Sequence, residues 1–78
     1  MSDANFEKFK TCAVEVLQVD ESAVVPDARF ADDLDADSLD LVELVMALEE
    51  RFGIDVPESE LEGVETVGQA YELVTSKL

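Results

Sequence analysis

Apolar residues recur at helical spacing in three stretches of this chain, and turn-forming residues fill the gaps. Phe6, Phe9, Ala13, Val16 and Leu17 follow the i, i+3, i+7 spacing of one helix face. They predict a first helix over residues 3–19, with Ser2 or Asp3 capping its first turn. A second helix is predicted over 37–52. At ~100° per residue, Leu41, Leu44, Val45, Leu48 and Phe52 gather on one side of it. Asp37 or Ser38 can cap its start, and Gly53 is a natural stop. Thr66 and Gln69 form a capping-box pair that opens a last helix over 67–77, with Val67, Ala70, Tyr71, Val74 and Leu78 as its inner stripe.

The connections are unequal. Residues 20–36 make a long one, in which Pro26 cannot continue a helix interior. Val24, Val25, Phe30 and Leu34 are its apolar anchors. A loop of this length is pinned to the core or carries function, so Phe30 and Leu34 are expected to be buried. In the second connection, Pro57 and Gly63 bracket a short helix, partly 3₁₀, with Leu61 and Val64 turned inward. No strand alternation or internal repeat is evident. The fold class is therefore all-α: a small four-helix bundle with three main helices and one short one, a single domain spanning residues 1–78.

The second helix carries one apolar stripe more than a core needs. Leu39, Val42 and Met46 lie roughly opposite the core stripe by the same ~100° count. They share the Ser38 side of the wheel and are flanked by Glu43, Glu49 and Glu50. One core cannot bury both stripes. The second is either a docking surface or is covered by the loop or the short helix. Glu49 and Glu50 also oppose the macrodipole at the helix C-terminus, by typically about 0.3–1 kcal/mol each. Helix stability alone gives no reason for them there, which points to recognition.

Charge sharpens this picture. The chain holds 20 acidic against 5 basic residues, a net charge of −15. Between residues 30 and 65 lie 13 of the acids and one base, Arg51. Such a surface steers basic partners and rejects nucleic acid, whose phosphates need a basic footprint. No signal peptide and no apolar run of transmembrane length is evident, so no membrane insertion is expected. The single cysteine, Cys12, reads as a buried reduced thiol, in keeping with a cytoplasmic location. Nothing in the pattern calls for an oligomer, and a monomer is expected.

Little in the chain can do chemistry. Without histidine there is no Ser-His-Asp triad, and one cysteine rules out a Cys/His zinc site. The three glycines form no phosphate-cradling loop. Asp33, Asp35 and Asp37 match the first ligands of an EF-hand loop. Ser38 then stands where glycine is required, Asp40 where an apolar residue belongs and Leu44 where the bidentate glutamate should be. A dedicated calcium site is not expected, although clustered carboxylates can bind divalent ions weakly. What remains is Ser38, either a plain cap or an exposed attachment point beside free helix N-terminal amides.

The segment Asp33-Leu34-Asp35-Ala36-Asp37-Ser38-Leu39-Asp40, with Val42-Glu43-Leu44-Val45-Met46-Ala47-Leu48-Glu49-Glu50, resembles acyl carrier proteins of dissociated (type II) fatty acid synthesis. Ile54-Asp55-Val56-Pro57 and Thr66-Val67-Gly68 extend the match from about residue 30 to the end. The resemblance implies a non-catalytic carrier. Its Ser38 would receive 4′-phosphopantetheine from coenzyme A through a holo-acyl-carrier-protein synthase that binds Mg²⁺. The arm would carry acyl groups as thioesters, and the bundle interior can shelter them. Asp37, Leu39, Asp40, Val42, Glu43, Met46, Glu49 and Glu50 match the family's partner-recognition helix. The partners implied are malonyl transferase, ketosynthases, reductases, a dehydratase and acyltransferases, which meet it with basic patches. Asp35 stands where many members have glycine, so a close-packed glycine turn is not required and the loop is more acidic. The rival readings are the same carrier chemistry in polyketide or other specialised acyl transfer, a calcium-binding regulator, and a plain acidic interaction module.

Overall fold

A computed structural model describes residues 4–78. Among them are three α-helices, α1 (Ala4–Leu17), α2 (Ser38–Phe52) and α3 (Val67–Ser76), and two 3₁₀ helices at Glu21–Ala23 and Glu58–Leu61. This is the small helical bundle expected, with the short helix present as a 3₁₀ turn. The cap assigned to Ser2 or Asp3 lies outside the described residues.

The core forms where the three stripes meet. Phe9, Val24, Leu44, Leu48, Val67 and Val74 are fully enclosed. Burying one such leucine contributes about 1.5–3 kcal/mol relative to leaving it in water. α1 packs mainly on α2, and α3 closes against α1 through aromatic contacts. The Tyr71 ring stands edge-on to Phe6 and Phe9, with centroids 5.1 and 5.8 Å away. Edge-on rings set the positive rim of one against the negative face of another, which adds to plain burial. Cys12 is buried, and burial pushes its thiol pKa up, with the Arg51 guanidinium pulling the other way.

Two apolar positions are not buried as expected, the loop anchor Val25 and the stripe residue Leu78. Val25 is 44 % exposed, because the turn at 25–28 rotates it away from its buried neighbour Val24. Leu78 is also exposed, because α3 ends at Ser76 and the stripe ends with it. Leu41 and Phe52 are only half-buried, at the edge of the core.

The long connection is held more firmly than its composition suggests. Phe30, Leu34, Ala28 and Ala36 are buried. Its backbone runs against the start of α3: the Phe30 N–H donates to Glu65 O at 3.0 Å, Val67 N–H to Ala28 O at 2.9 Å and Gly68 N–H to Pro26 O at 2.9 Å. Arg29 and Thr66 form an isolated antiparallel bridge. Glycine is needed at 68 because a Cβ there would meet Pro26 O at 3.0 Å.

Asp35 adopts a left-handed backbone, with φ of 52°. The exposed Asp35 fills this position, so a close-packed glycine is not required, although an L-residue in a left-handed turn carries strain. Left-handed geometry costs a non-glycine residue about 1–2 kcal/mol, partly offset by the greater freedom glycine loses on folding, about 0.5–1 kcal/mol. Asp35→Gly is expected to stabilise the fold by about 0.5–1 kcal/mol, raising the midpoint of thermal unfolding by about 2–8 °C. Asp35→Asn, which removes only the charge, should gain less. If the two variants gain equally, charge relief and not backbone geometry is responsible.

Candidate functional site

The site is built at the start of α2. The Asp37 carboxylate accepts the Asp40 N–H at 3.0 Å, and the Asp40 carboxylate accepts the Asp37 N–H at 3.2 Å. This reciprocal cap satisfies two amides that the helix cannot satisfy itself. It also decides between the two candidate caps. Asp37 takes the position, and Ser38 becomes the first residue of the helix proper. Ser38 is exposed, and its hydroxyl has no partner among the described residues. The N–H groups of Ser38 and Leu39 lie in the first turn, where no intrahelical acceptor exists. An anion on Ser38 would sit beside them and at the positive end of the helix dipole.

A cavity of about 340 Å³ opens next to Ser38. Phe30, Ala36 and Leu41 line it on one side, Leu61 and Val64 on the other. Its wall is thus shared by the long loop, α2 and the segment around the second 3₁₀ helix. An exposed hydroxyl, free first-turn amides and an adjacent apolar chamber fit a phosphate-linked arm with an apolar cargo. Among the described residues, no group of three or more acidic or thiol side chains is placed to hold a metal ion.

The second stripe of α2 lies open. Leu39 is 64 % and Met46 59 % exposed, with Val42 half-buried between them. Neither the loop nor the 3₁₀ helix covers the stripe. Glu43 and Glu50 stand exposed beside it.

Glu49 differs from these two. Its Oε2 accepts the Val56 N–H at 2.8 Å in a part-buried setting. The dipole argument left no structural reason for this acid, and the bond supplies one. Glu49 ties the connection after α2 back onto the helix, which is a structural reason for an acid in the last turn. Sequence spacing could not reveal this bond, because its other half is a backbone amide seven residues on.

Comparison with known proteins agrees with this geometry. The family model for phosphopantetheine attachment sites matches residues 7–74. The chain belongs to the acyl carrier protein family. It is 51 % identical over 76 residues to the acyl carrier protein of Petrotoga mobilis, a match covering 97 % of this chain and 89 % of the relative. It is 48 % identical over 77 residues to that of a Picosynechococcus species, covering 99 % and 95 %. To that of Thermosynechococcus vestitus it is 49 % identical over 72 residues, covering 92 % and 89 %. Members of this family bear a covalently attached 4′-phosphopantetheine group. Among the described residues, no helix is long and apolar enough to cross a membrane.

The two glutamates should separate cleanly on removal. Glu49→Ala leaves the Val56 N–H without its acceptor and is expected to cost about 1–3 kcal/mol in urea unfolding. Glu43→Ala, on the open face, should stay within about 0.5 kcal/mol of wild type. Equal losses would show that the Glu49 bond carries no weight.

Proposed function

We propose that Ser38 is the attachment point of the phosphopantetheine arm, and that the protein carries acyl chains for fatty acid synthesis without catalysing a reaction itself. The observation that carries this reading is the exposed, uncapped Ser38 hydroxyl at the first position of α2, beside an apolar cavity. When bound, the group supplies a terminal thiol that holds acyl chains as thioesters. The residues around it divide the remaining work. Asp37 and Asp40 fix the helix start and keep the Ser38 hydroxyl out of the cap. The free Ser38 and Leu39 amides of the first turn would hold the phosphodiester. Phe30, Ala36, Leu41, Leu61 and Val64 offer an apolar lining to the cargo. A flexible tether keeps that cargo at high effective concentration wherever the carrier docks.

Docking falls to the outer face of α2. Leu39, Val42 and Met46 supply apolar contact, Glu43 and Glu50 supply steering, and Asp37, Asp40 and Glu49 add charge while also holding structure. The partners are a phosphopantetheinyl transferase and the enzymes that load, extend, reduce and transfer acyl chains. Successive visits to many enzymes favour fast, electrostatically steered and short-lived contacts.

Incubation with coenzyme A, Mg²⁺ and a phosphopantetheinyl transferase, followed by intact-mass measurement, tests the attachment. The wild type is expected to gain one arm and Ser38→Ala none. A modified Ser38→Ala variant, or an unmodified wild type, would sink the proposal. The docking face has its own check. Glu43→Lys should lower the transferase's kcat/KM by about tenfold, the effect of about 1.4 kcal/mol, and raised salt should shrink the gap between variant and wild type. A salt-independent difference would place the effect in folding and not in steering.

A further inference from the structure

The segment that forms the outer wall of the cavity is attached in an unusual way. Residues 57–64 contain the 3₁₀ helix Glu58–Leu61, which buries no residue. Their backbone hydrogen bonds, Glu60 N–H to Pro57 O and Val64 N–H to Leu61 O, stay within the segment. Among the described residues, its hydrogen-bonded anchors to the rest of the fold lie at the two ends, with Val64 adding an apolar contact to the core. At the entry, the Val56 N–H is held by the Glu49 carboxylate. At the exit, Glu65 O accepts the Phe30 N–H at 3.0 Å, and the Glu65 N–H donates to the Gln69 side chain at 2.7 Å.

Between those anchors, one polar contact ties the segment to a helix. Lys77, at the end of α3, donates a hydrogen bond to Glu60 Oε1 at 2.9 Å, and its ammonium lies 2.6 Å from Oε2. The two side chains are 28 % and 36 % exposed. Glu60 Oε2 has almost no contact with solvent and lies directly against the Lys77 ammonium. The Lys77 charge alone compensates it. An ordinary surface ion pair exchanges readily for water, but a sequestered carboxylate oxygen that loses its cation must move out to be solvated. Leu61 follows Glu60 directly and lines the cavity beside Ser38.

We infer that the Lys77–Glu60 ion pair is a latch on the cavity wall, and that its release swings the 57–64 segment outward and enlarges the chamber beside Ser38. Lys77 is thus a positioning residue for apolar cargo, distant in sequence from every other part of the site. The inference takes from the carrier reading only that the chamber receives an apolar chain. The latch itself is testable in the unmodified protein, so its failure leaves the attachment at Ser38 untouched.

Amide hydrogen exchange on the unmodified full chain reads the latch directly. In Lys77→Met, which keeps an apolar stem without the charge, amides across 58–64 are expected to exchange about tenfold faster, while those of α2 keep their protection. The double variant Glu60→Lys with Lys77→Glu reverses the pair and should restore slow exchange. The uncharged dye Nile red should bind several-fold tighter to Lys77→Met than to wild type, and the double variant should again match wild type. Unchanged exchange at 58–64, uniform acceleration across the chain, or no rescue by the reversed pair would each overturn the latch. Faster exchange without tighter dye binding would overturn its link to the cavity.

Discussion

The first turn of α3 has four amide hydrogens that need acceptors, and the way they are supplied organises much of the molecule. A helix cannot satisfy these groups internally. Thr66 and Gln69 meet two of the needs reciprocally: the Thr66 hydroxyl accepts from the Gln69 N–H, and the Gln69 side-chain oxygen accepts from the Thr66 N–H at the cap. The other two acceptors come from far away in sequence. Ala28 O takes the Val67 N–H and Pro26 O takes the Gly68 N–H. A seventeen-residue connection without long helices would otherwise be costly to order. Here its ordering completes a helix end and buries Phe30 and Leu34 at the same time. The loop then returns through a left-handed Asp35, and the Ala36 N–H closes onto Phe30 O at 2.7 Å. That closure delivers Asp37 to the start of α2. The placement of Ser38 thus depends on hydrogen bonds made at the other end of the chain.

The second consequence concerns who caps α2. Serine and aspartate are both good caps, and a serine spent as a cap has its oxygen engaged by the helix amides. Because the loop presents Asp37 one residue earlier, the aspartate does that work and the neighbouring hydroxyl is left out of the cap. Asp40 completes the arrangement from within the helix. The acids on either side of Ser38 therefore have a structural role, whatever they also contribute to an enzyme's approach. The same duality recurs at Glu49, which holds Val56 in place at the far end of the same helix.

This separates what was legible in the residues from what was not. The helix stripes follow from side-chain periodicity, the burial of Phe30 and Leu34 from the length of the loop they pin, that of Cys12 from its residue type, and the Thr66–Gln69 cap from a local motif, all of which a sequence displays. The roles of Ala28, Pro26 and Glu49 do not, because each acts through, or upon, a backbone group whose position leaves no mark on residue identity. One trace did exist: Gly68 stands in a first helical turn, where its missing Cβ signals a close backbone approach. The left-handed turn at 35 was masked by an aspartate, the kind of residue that tolerates such geometry without announcing it. Leu78 misled in the opposite sense, since periodicity says nothing of where an element stops, and Val25 because apolar identity does not show which way a turn points a side chain.

The distribution of cations closes the argument about the open face of α2. Lys10 lies near Glu7 and Glu21 and over the Phe6 ring. Lys8 sits over Phe52. Arg29 pairs with Asp32, Arg51 with Glu15 and Lys77 with Glu60. Every lysine and arginine is thus drawn to a partner on α1, the loop, the end of α2 or the 3₁₀ segment. None is set against Glu43 or Glu50 beside the Leu39–Met46 stripe. A fold with a net charge of −15 would gain by spreading its few cations evenly, since unrelieved repulsion opposes compaction. It gathers them instead at joints between elements, where Arg51 ties α2 to α1 and Lys77 ties the cavity wall to α3. The uncompensated charge is left on the open face of α2, beside Leu39 and Met46.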